Sequence, residues 1–321
     1  MLQVERILAL IEPPDPARST VAAQAALQRA ASMALTYTAR LVVLPLPRAE
    51  EASSGSPDIS TEAVNAFVSR ILRAQTPDAT APVFDVLEQP SHSGALLEAV
   101  AATNPGLIVA DTPADRGPIP VLASEPIAGI ARDTDVPLFV AGHRSVVRSV
   151  RRILVPTDFS EHSRVAFAHA TALAAQYDAA LDILHVLERP QYVALNPTDL
   201  LAMNDATLPE RKARRRTQTF VESLNGNTVP TRIHLDHGNA PDRIGRFVDE
   251  NESDLVVLST HGIIGRSSHP FGTVAEKVLR RVTRPVFLTR AFGRSLVRDM
   301  FSEAQSDGAA DGLPYLPSTS E

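Results

Sequence analysis

The sequence predicts an α/β protein made of two tandem, doubly wound parallel-sheet domains of the Rossmann-like kind. Its 321 residues suit two domains of about 150 residues each. Apolar runs of strand length alternate with segments of helical periodicity, which is typical of parallel sheets with right-handed crossovers. Three segments also recur in the same order, 146 or 148 residues apart: Arg6–Glu12 and Arg152–Asp158, Leu107–Thr112 and Leu255–Thr260, Val136–Val140 and Arg284–Leu288. We therefore expect domains at residues 1–147 and 148–293, followed by a polar, mobile tail at 294–321.

The second copy shows the strand and helix pattern clearly. Ile153–Thr157 is largely apolar and too short for a helix, so it predicts a strand buried on both faces. Ser160 or Ser163 can cap the helix predicted at Arg164–Tyr177. The other predicted strands are Ala180–Val186, Thr231–Leu235, Asp254–Ser259 and Pro285–Thr289. The other predicted helices are Gln191–Asn225, Asp242–Glu250 and Val274–Arg281.

The first copy repeats this order. Its first predicted strand lies in Arg6–Glu12, and residues 49–61 predict a surface loop. The remaining predicted elements are helices at Gln24–Leu35, Glu62–Ala74, Gly94–Ala101 and Ile127–Arg132, and strands at Leu41–Leu46 and Val83–Leu87. In the tail, Ser295–Ala304 predicts a short helix.

Composition excludes several classes of protein. The chain has no Cys, which rules out disulfides, a thiolate nucleophile and cysteine-ligated metals. It has no Trp and only 5% aromatic residues, and its pI is about 5.9, so nucleic-acid binding is disfavoured. No apolar run approaches the ~20 residues of a membrane span, and no signal peptide is evident. We expect a cytoplasmic protein with neither nucleic-acid nor membrane partners.

Charge is distributed unevenly along the chain. Residues 1–147 carry a net charge of −6, and residues 148–293 carry +3. Electrostatics therefore favours the second copy for binding an anionic ligand. The basic run between Arg211 and Arg216 predicts either a solvated helix face or a contact surface for the acidic first copy or a partner.

The candidate binding residues follow the strands of the second copy. In an open parallel sheet, ligands bind beyond the carboxyl ends of strands, where strand order reverses. Asp158, Val186 and Ser259 lie at three such ends, and Gly262 is followed by nine residues and then by Gly272 and Thr273. Because glycine has no Cβ, these residues let backbone N–H groups approach phosphate oxygens. A helix that begins there also points the N–H groups of its first turn at the anion. Thr273 can donate a further hydrogen bond.

This pattern resembles the universal stress protein family, whose nucleotide-binding members carry Gly-x-x-Gly, nine residues, then Gly-Ser/Thr. The run from Val155 to Ser160 and the pair His185-Val186 are similar to the family as well. The resemblance covers residues 148–290 strongly and 1–142 weakly, and it implies a tandem protein with the adenine nucleotide alpha hydrolase-like fold.

The resemblance also implies a ligand and its contacts. ATP would bind with Mg²⁺ bridging its phosphates, and Arg266 is a candidate to assist. The strand exit at Pro156, Thr157 and Asp158, together with the backbone of Val186, would face the adenine. Ribose and phosphates would contact a second set, namely Ser259, Gly262, Gly272 and Thr273. The family has glycine where this chain has Ser259, which would cost ~1 kcal/mol or more if that site needs a positive φ.

The first copy departs further from the nucleotide-binding pattern. Gly262 corresponds to Ala114, Gly272 to Ser124 and Thr273 to Glu125, whose carboxylate would repel a phosphate. Several prolines also restrict that loop. We expect this copy to bind no nucleotide, although Glu12 occupies the place of Asp158.

Simpler interpretations stand beside these. Asp158 can be a helix N-terminal acid stabilised by the macrodipole, and Gly262 and Gly272 can be turn glycines. His185, His261 and His269 show no metal-ligand spacing, so we expect no metal site in the protein itself. Ser259 lacks a nucleophile-elbow sequence, and the chain has no P-loop motif.

Three functions compete. The first is a nucleotide-binding stress or regulatory protein, in which ATP sets conformation or assembly. The second is a nucleotide-free interaction module, with Ser259 as the first step of site loss. The third is a slow ATPase with His261 as its base; otherwise we expect no enzyme activity.

The duplication also predicts how the copies assemble. Family members commonly dimerise through their last strand, so Pro137–Val140 and Pro285–Thr289 are expected to pair within the chain as a pseudo-dimer. Pairing would protect two otherwise exposed edges. A further homodimer is compatible with this arrangement, and the sequence does not identify a protein partner.

Overall fold

A computed structural model describes residues 2, 4–12, 21–46, 60–75, 81–90, 93–110, 130, 134–141, 150–188, 208–225, 228–260, 273–290 and 296–297. In the first half, the described strands are β1 (Arg6–Ile11), β2 (Arg40–Pro45), β3 (Phe84–Val86), β4 (Leu107–Ala110) and β5 (Leu138–Val140). The described helices of this half are α1 (Val21–Tyr37), α2 (Thr61–Gln75) and α3 (Ser93–Thr103).

The second half repeats the order, and all its strands except the first are longer than their counterparts. Its strands are β6 (Arg152–Pro156), β7 (Ala180–Leu187), β8 (Thr231–His237), β9 (Leu255–Ser259) and β10 (Val286–Thr289). Its described helices are α4 (Glu161–Tyr177), α5 (Leu208–Asn225), α6 (Ala240–Glu250) and α7 (Thr273–Leu279).

All ten strands form one sheet in the order β3-β2-β1-β4-β5-β10-β9-β6-β7-β8. Within each half the strands are parallel, and the order reverses between β1 and β4 in the first half and between β6 and β9 in the second. The halves meet at β5 and β10, which pair antiparallel with Phe139 opposite Phe287. The predicted doubly wound fold and the predicted pairing of the last strands are thus confirmed.

Hydrophobic residues fill both faces of the sheet. One face is covered by α1, α2, α4 and α5, which contribute Leu27, Val68, Phe167 and Phe220 to a single core. The other face is covered mainly by α3, α6 and α7. Because strands such as β1 and β6 are buried on both faces, their sequences are continuously apolar rather than alternating. This explains why they were recognisable in the sequence.

Contacts between the halves extend beyond the shared strands. The rings of Phe139 and Phe287 meet edge to face with centroids 6.4 Å apart. Tyr37 at the end of α1 donates a 2.6 Å hydrogen bond to Gln176 near the end of α4. The two halves therefore pack as one body across the seam between β5 and β10.

A segment after the last strand is anchored on this body. Leu296 is 3% exposed, and its N–H donates to Nε2 of the buried His169 at 3.1 Å. Val297 forms an isolated antiparallel bridge with Leu2. The predicted short helix at Ser295–Ala304 is therefore wrong at residues 296–297, which are pinned between the chain's first residues and α4.

Other predicted elements agree with the structure apart from their ends. The predicted helix Gln191–Asn225 corresponds to α5, and its part before Leu208 lies outside the described residues. The loop predicted at 49–61 falls almost entirely outside them too, as does Ile127–Arg132 apart from Ile130. Within the described part of the chain, no helix is both long enough and apolar enough to cross a bilayer.

Candidate functional site

The candidate site lies where the strand order of the second half reverses. The chain leaves β6 through Thr157 and Asp158, and it leaves the neighbouring β9 at Ser259. Val186 lies near the end of β7, on the other side of β6. The structure therefore brings the predicted residues Pro156, Thr157, Asp158, Val186 and Ser259 to one edge of the sheet, as the sequence predicted.

β6 and β9 pair over a short distance only. Their ladder contains the pairs Ile153–Leu255 and Leu154–Val256, whereas β1 and β4 continue through a fourth pair, Leu10 with Ala110. The difference has a covalent cause, because Pro156 occupies the position of Leu10 and has no N–H to donate. Thr157 N–H points to Leu184 on β7, so by alternation the Pro156 position faces β9. The β6–β9 ladder therefore ends two residue pairs earlier than the β1–β4 ladder, at the reversal of strand order beyond which such sheets have their ligand-binding crevice.

Asp158 organises the turn that leads from β6 into α4. Its Oδ1 accepts hydrogen bonds from the Ser160 N–H at 3.0 Å, the Ser160 hydroxyl at 2.6 Å and the Ser163 hydroxyl at 2.6 Å. Ser160 is the N-cap of α4, and its hydroxyl accepts from the Ser163 N–H. The interpretation of Asp158 as a helix N-terminal acid is thus confirmed, and Ser160 rather than Ser163 is the cap.

Phe159 makes the turn possible by adopting a left-handed conformation. Its φ is 64°, which costs a residue with a bulky side chain ~1 kcal/mol or more. Two contacts offset this strain: its N–H donates to the Thr157 hydroxyl oxygen at 3.1 Å, and its ring packs against His185, tilted by 38°, with centroids 4.3 Å apart. The guanidinium of Arg216 lies 4.5 Å from the same ring. Phe159 therefore joins the exits of β6 and β7 to α5.

His185 connects the two strand exits directly. Its Nδ1 lies 2.9 Å from the carbonyl oxygen of Thr157, so Nδ1 carries the proton and donates. Burial lowers the pKa of His185, and Arg216 lowers it further, while the Thr157 carbonyl and Asp158 act in the opposite direction. The net pKa lies below the ordinary value, so the imidazole is neutral at pH 7.

Ser259 is well suited to its place although the family pattern has glycine there. It is the last residue of β9, pairs with Thr289 of β10, and does not have a positive φ. The predicted strain at Ser259 is therefore not found. The next residue, Thr260, continues the ladder by donating to the Thr289 carbonyl at 3.0 Å.

The remaining predicted site residues follow β9 in the sequence. Gly262 and Gly272 lie outside the described residues, as do His261, Arg266 and His269. Thr273 is the first residue of α7 and is exposed. No group of three or more His, Asp or Glu side chains able to hold a metal ion occurs in the described ranges.

Sequence analysis missed the interplay of Phe159, His185 and Arg216. His185 was named from the sequence only in the pair that resembles the family and as a histidine without metal-ligand spacing, and Arg216 only as part of a basic run. A signal was present, because Phe159 and His185 directly neighbour Asp158 and Val186, the residues expected to face a ligand.

Comparison with known proteins identifies the family that the second half matches. Residues 149–290 match the model of the Universal stress protein family. Universal stress protein MJ0531 of Methanocaldococcus jannaschii is 26% identical over 144 residues, which cover 44% of this chain and 82% of that protein. The second half of the chain is therefore a universal stress protein domain.

Solved structures extend the likeness in fold to both halves. The protein PA1789 of Pseudomonas aeruginosa PAO1, described as functionally unknown, covers 91% of this chain with 18% identity and a TM-score of 0.62. A universal stress protein of Archaeoglobus fulgidus covers 88% of the chain with 18% identity and a TM-score of 0.54. These matches span 94% and 96% of the respective proteins, so the fold of both halves together recurs in other proteins.

Proposed function

We propose that the second half binds an adenine nucleotide, ATP with Mg²⁺, and that the protein is a cytoplasmic stress-response regulator whose conformation or assembly depends on that occupancy. The observation that carries this proposal is the early end of the β6–β9 ladder, before Pro156, at the reversal of strand order. Crevices at such reversals of strand order are where doubly wound sheets bind nucleotides. Family membership of residues 149–290 supports the same conclusion.

The charge of the second half supports an anionic ligand. Residues 148–293 carry a net charge of +3 within a chain of −6. In this proposal, the glycines at 262 and 272 let main-chain N–H groups approach the phosphates, and Mg²⁺ neutralises part of the triphosphate charge. Asp158, Val186 and Ser259 border the crevice and would contact the base and the ribose.

The first half is proposed to bind no nucleotide. Its ladder between β1 and β4 runs on to Leu10 and Ala110, two residue pairs further than the ladder between β6 and β9. The sequence there also replaces the glycines with Ala114 and Ser124 and adds Glu125. One bound nucleotide per chain is therefore expected.

Calorimetry of the full chain with ATP and Mg²⁺ tests the proposal. Wild type should bind one equivalent, and Gly272→Glu should abolish binding because a carboxylate would occupy the phosphate position. Ser124→Glu is the matched control, since it introduces the same charge at the corresponding position of the first half and should leave binding unchanged. No heat from wild type would refute the proposal, and equal loss in both variants would refute its location.

The alternative is a nucleotide-free interaction module. Ser259 at the place of a family glycine is the observation that favours it. Absorbance at 260 nm of protein purified without added nucleotide separates the two functions: a nucleotide spectrum supports binding, and its absence together with silent calorimetry supports the module.

A further inference from the structure

We propose that His185 is a positioning residue for base recognition, because its ring N–H takes the Thr157 carbonyl and so leaves the backbone N–H and C=O of Val186 to bind the edge of the base. This inference rests on the proposed nucleotide site. The family resemblance already implies that the Val186 backbone faces the base, and the proposal concerns the side chain that keeps this backbone available.

Alternation along β7 decides where the Val186 backbone points. The Ala180 N–H donates to Arg151 at the start of β6, and the Leu184 carbonyl accepts from Thr157. Leu181 and Leu187, by contrast, bond to residues on the β8 side. Backbone groups of even-numbered residues on β7 therefore face β6, and Val186 belongs to this set.

If the ladder between β6 and β7 continued by one more hydrogen bond, the Val186 N–H would donate to the Thr157 carbonyl. The last residue pair between β6 and β7 is instead Pro156 with Leu184, and the left-handed Phe159 then turns the chain away. The Thr157 carbonyl receives the His185 Nδ1–H at 2.9 Å. A side-chain donor thus stands in for the next backbone donor of the ladder.

The ring of His185 is held firmly enough for this role. It packs against Phe159 at a centroid distance of 4.3 Å, and Arg216 covers Phe159 at 4.5 Å. Burial and the nearby guanidinium keep the imidazole neutral, with its one proton on Nδ1. These contacts keep the ring beside the Thr157 carbonyl, and the hydrogen bond to that carbonyl fixes the Nδ1–H tautomer.

A backbone N–H beside a C=O matches adenine. Adenine presents a ring nitrogen that accepts and an exocyclic amino group that donates, in complement to this pair. Hypoxanthine, the base of inosine triphosphate, differs at the same edge by presenting a ring N–H and an exocyclic oxygen, so both hydrogen bonds would be lost. A site that relies on such hydrogen bonds discriminates strongly against a ligand that cannot make them.

The test measures Kd for ATP and for inosine triphosphate, each with Mg²⁺, on the full chain. Wild type should prefer ATP by about tenfold or more. His185→Phe keeps a ring on Phe159 but has no N–H, so the Val186 N–H is expected to close on Thr157, and the preference should fall to near unity. His185→Asn places an N–H where Nδ1 was and should restore the preference. If His185 had only a structural role, the variant would raise the Kd of both nucleotides by the same factor and leave the ratio of the two Kd values unchanged.

His237→Phe is the matched control, because it makes the same substitution at the same edge of the sheet, one strand further out. It should keep the wild-type preference. A second measurement needs no ligand: hydrogen exchange of the Val186 amide should be slower in His185→Phe than in wild type. An unchanged ATP preference in His185→Phe overturns the inference while the nucleotide site stands. Wild type that binds neither ligand overturns both.

Discussion

Replacing His169 with phenylalanine measures how firmly the segment after β10 is attached. His169 is 1% exposed, and its ring packs near Phe287 with centroids 5.9 Å apart. Nδ1 donates to the Val165 carbonyl at 2.8 Å, so the neutral ring presents Nε2 as an acceptor to the Leu296 N–H. Phenylalanine fills the same space but accepts no hydrogen bond.

The expected loss follows from burial of the orphaned group. Leu296 is buried, so its N–H cannot turn to water without displacing the segment. An unsatisfied buried donor costs about 1–3 kcal/mol, and we expect His169→Phe to lower the free energy of unfolding by that amount. His169→Gln, whose side-chain oxygen can accept near the Nε2 position, should recover most of the loss.

Acid should act on the same hydrogen bond. Burial lowers the pKa of His169 below its ordinary value of 6.5, more than the Val165 hydrogen bond raises it. The unfolded chain therefore takes up a proton at a pH where the folded protein does not. This contribution to stability is complete above about pH 6.5 and falls below it by up to ~1.4 kcal/mol per pH unit.

Urea denaturation at pH 7.5 and pH 5.5 measures both effects. Wild type should lose more stability between the two pH values than His169→Phe, which lacks this titrating group. Equal stability of wild type and His169→Phe at pH 7.5 would refute the hydrogen bond to Leu296. An equal pH response would refute the assignment of a depressed pKa to His169.

Three other perturbations test the scaffold by urea denaturation at pH 7. Asp182→Asn should cost about 1–3 kcal/mol. Burial raises the pKa of Asp182, but the hydrogen bonds and charges of His234 and Arg232 outweigh burial and lower the pKa, so the stability lost by the variant should shrink as pH falls toward that pKa. A loss that does not change with pH would contradict these interactions of Asp182. Ser160→Ala should cost about 1 kcal/mol by removing the α4 cap, with Glu161→Ala as a nearly neutral control. Leu10→Pro should cost about 1–3 kcal/mol, because it removes a buried N–H from the β1–β4 ladder and leaves the acceptor unsatisfied. Pro156 has the same effect on the β6–β9 ladder, and a small loss in Leu10→Pro would refute that comparison.

Much of the fold could be predicted because its signals are local or repeated. Strands buried on both faces, such as β6, are continuously apolar, and a repeat near 147 residues doubles the evidence for each element. The repeat also predicted the pairing of β5 with β10, since the two equivalent last strands would otherwise be exposed edges. The site edge followed from topology: Asp158, Val186 and Ser259 each end a strand, and parallel strands end together.

What the sequence did not predict depends on contacts between distant residues. Leu296 and Val297 stand in a polar tail, and their partners His169 and Leu2 are 127 and 295 residues away along the chain. No periodicity within a short window reports such contacts. The role of His185 could not be predicted for a related reason: it depends on where the ladder between β6 and β7 ends, before Phe159 turns the chain away.

The antiparallel seam fixes the orientation of the two halves. Because β5 runs against β10, every strand of the first half points opposite to every strand of the second, and their carboxyl ends emerge on opposite rims of the sheet. A ligand on one rim consequently has only the strand beginnings of the other half beside it. A ligand beside β9 is connected to the first half through β10 and the three residue pairs where Phe139 meets Phe287. A second connection runs through α4 and the hydrogen bond between Tyr37 and Gln176.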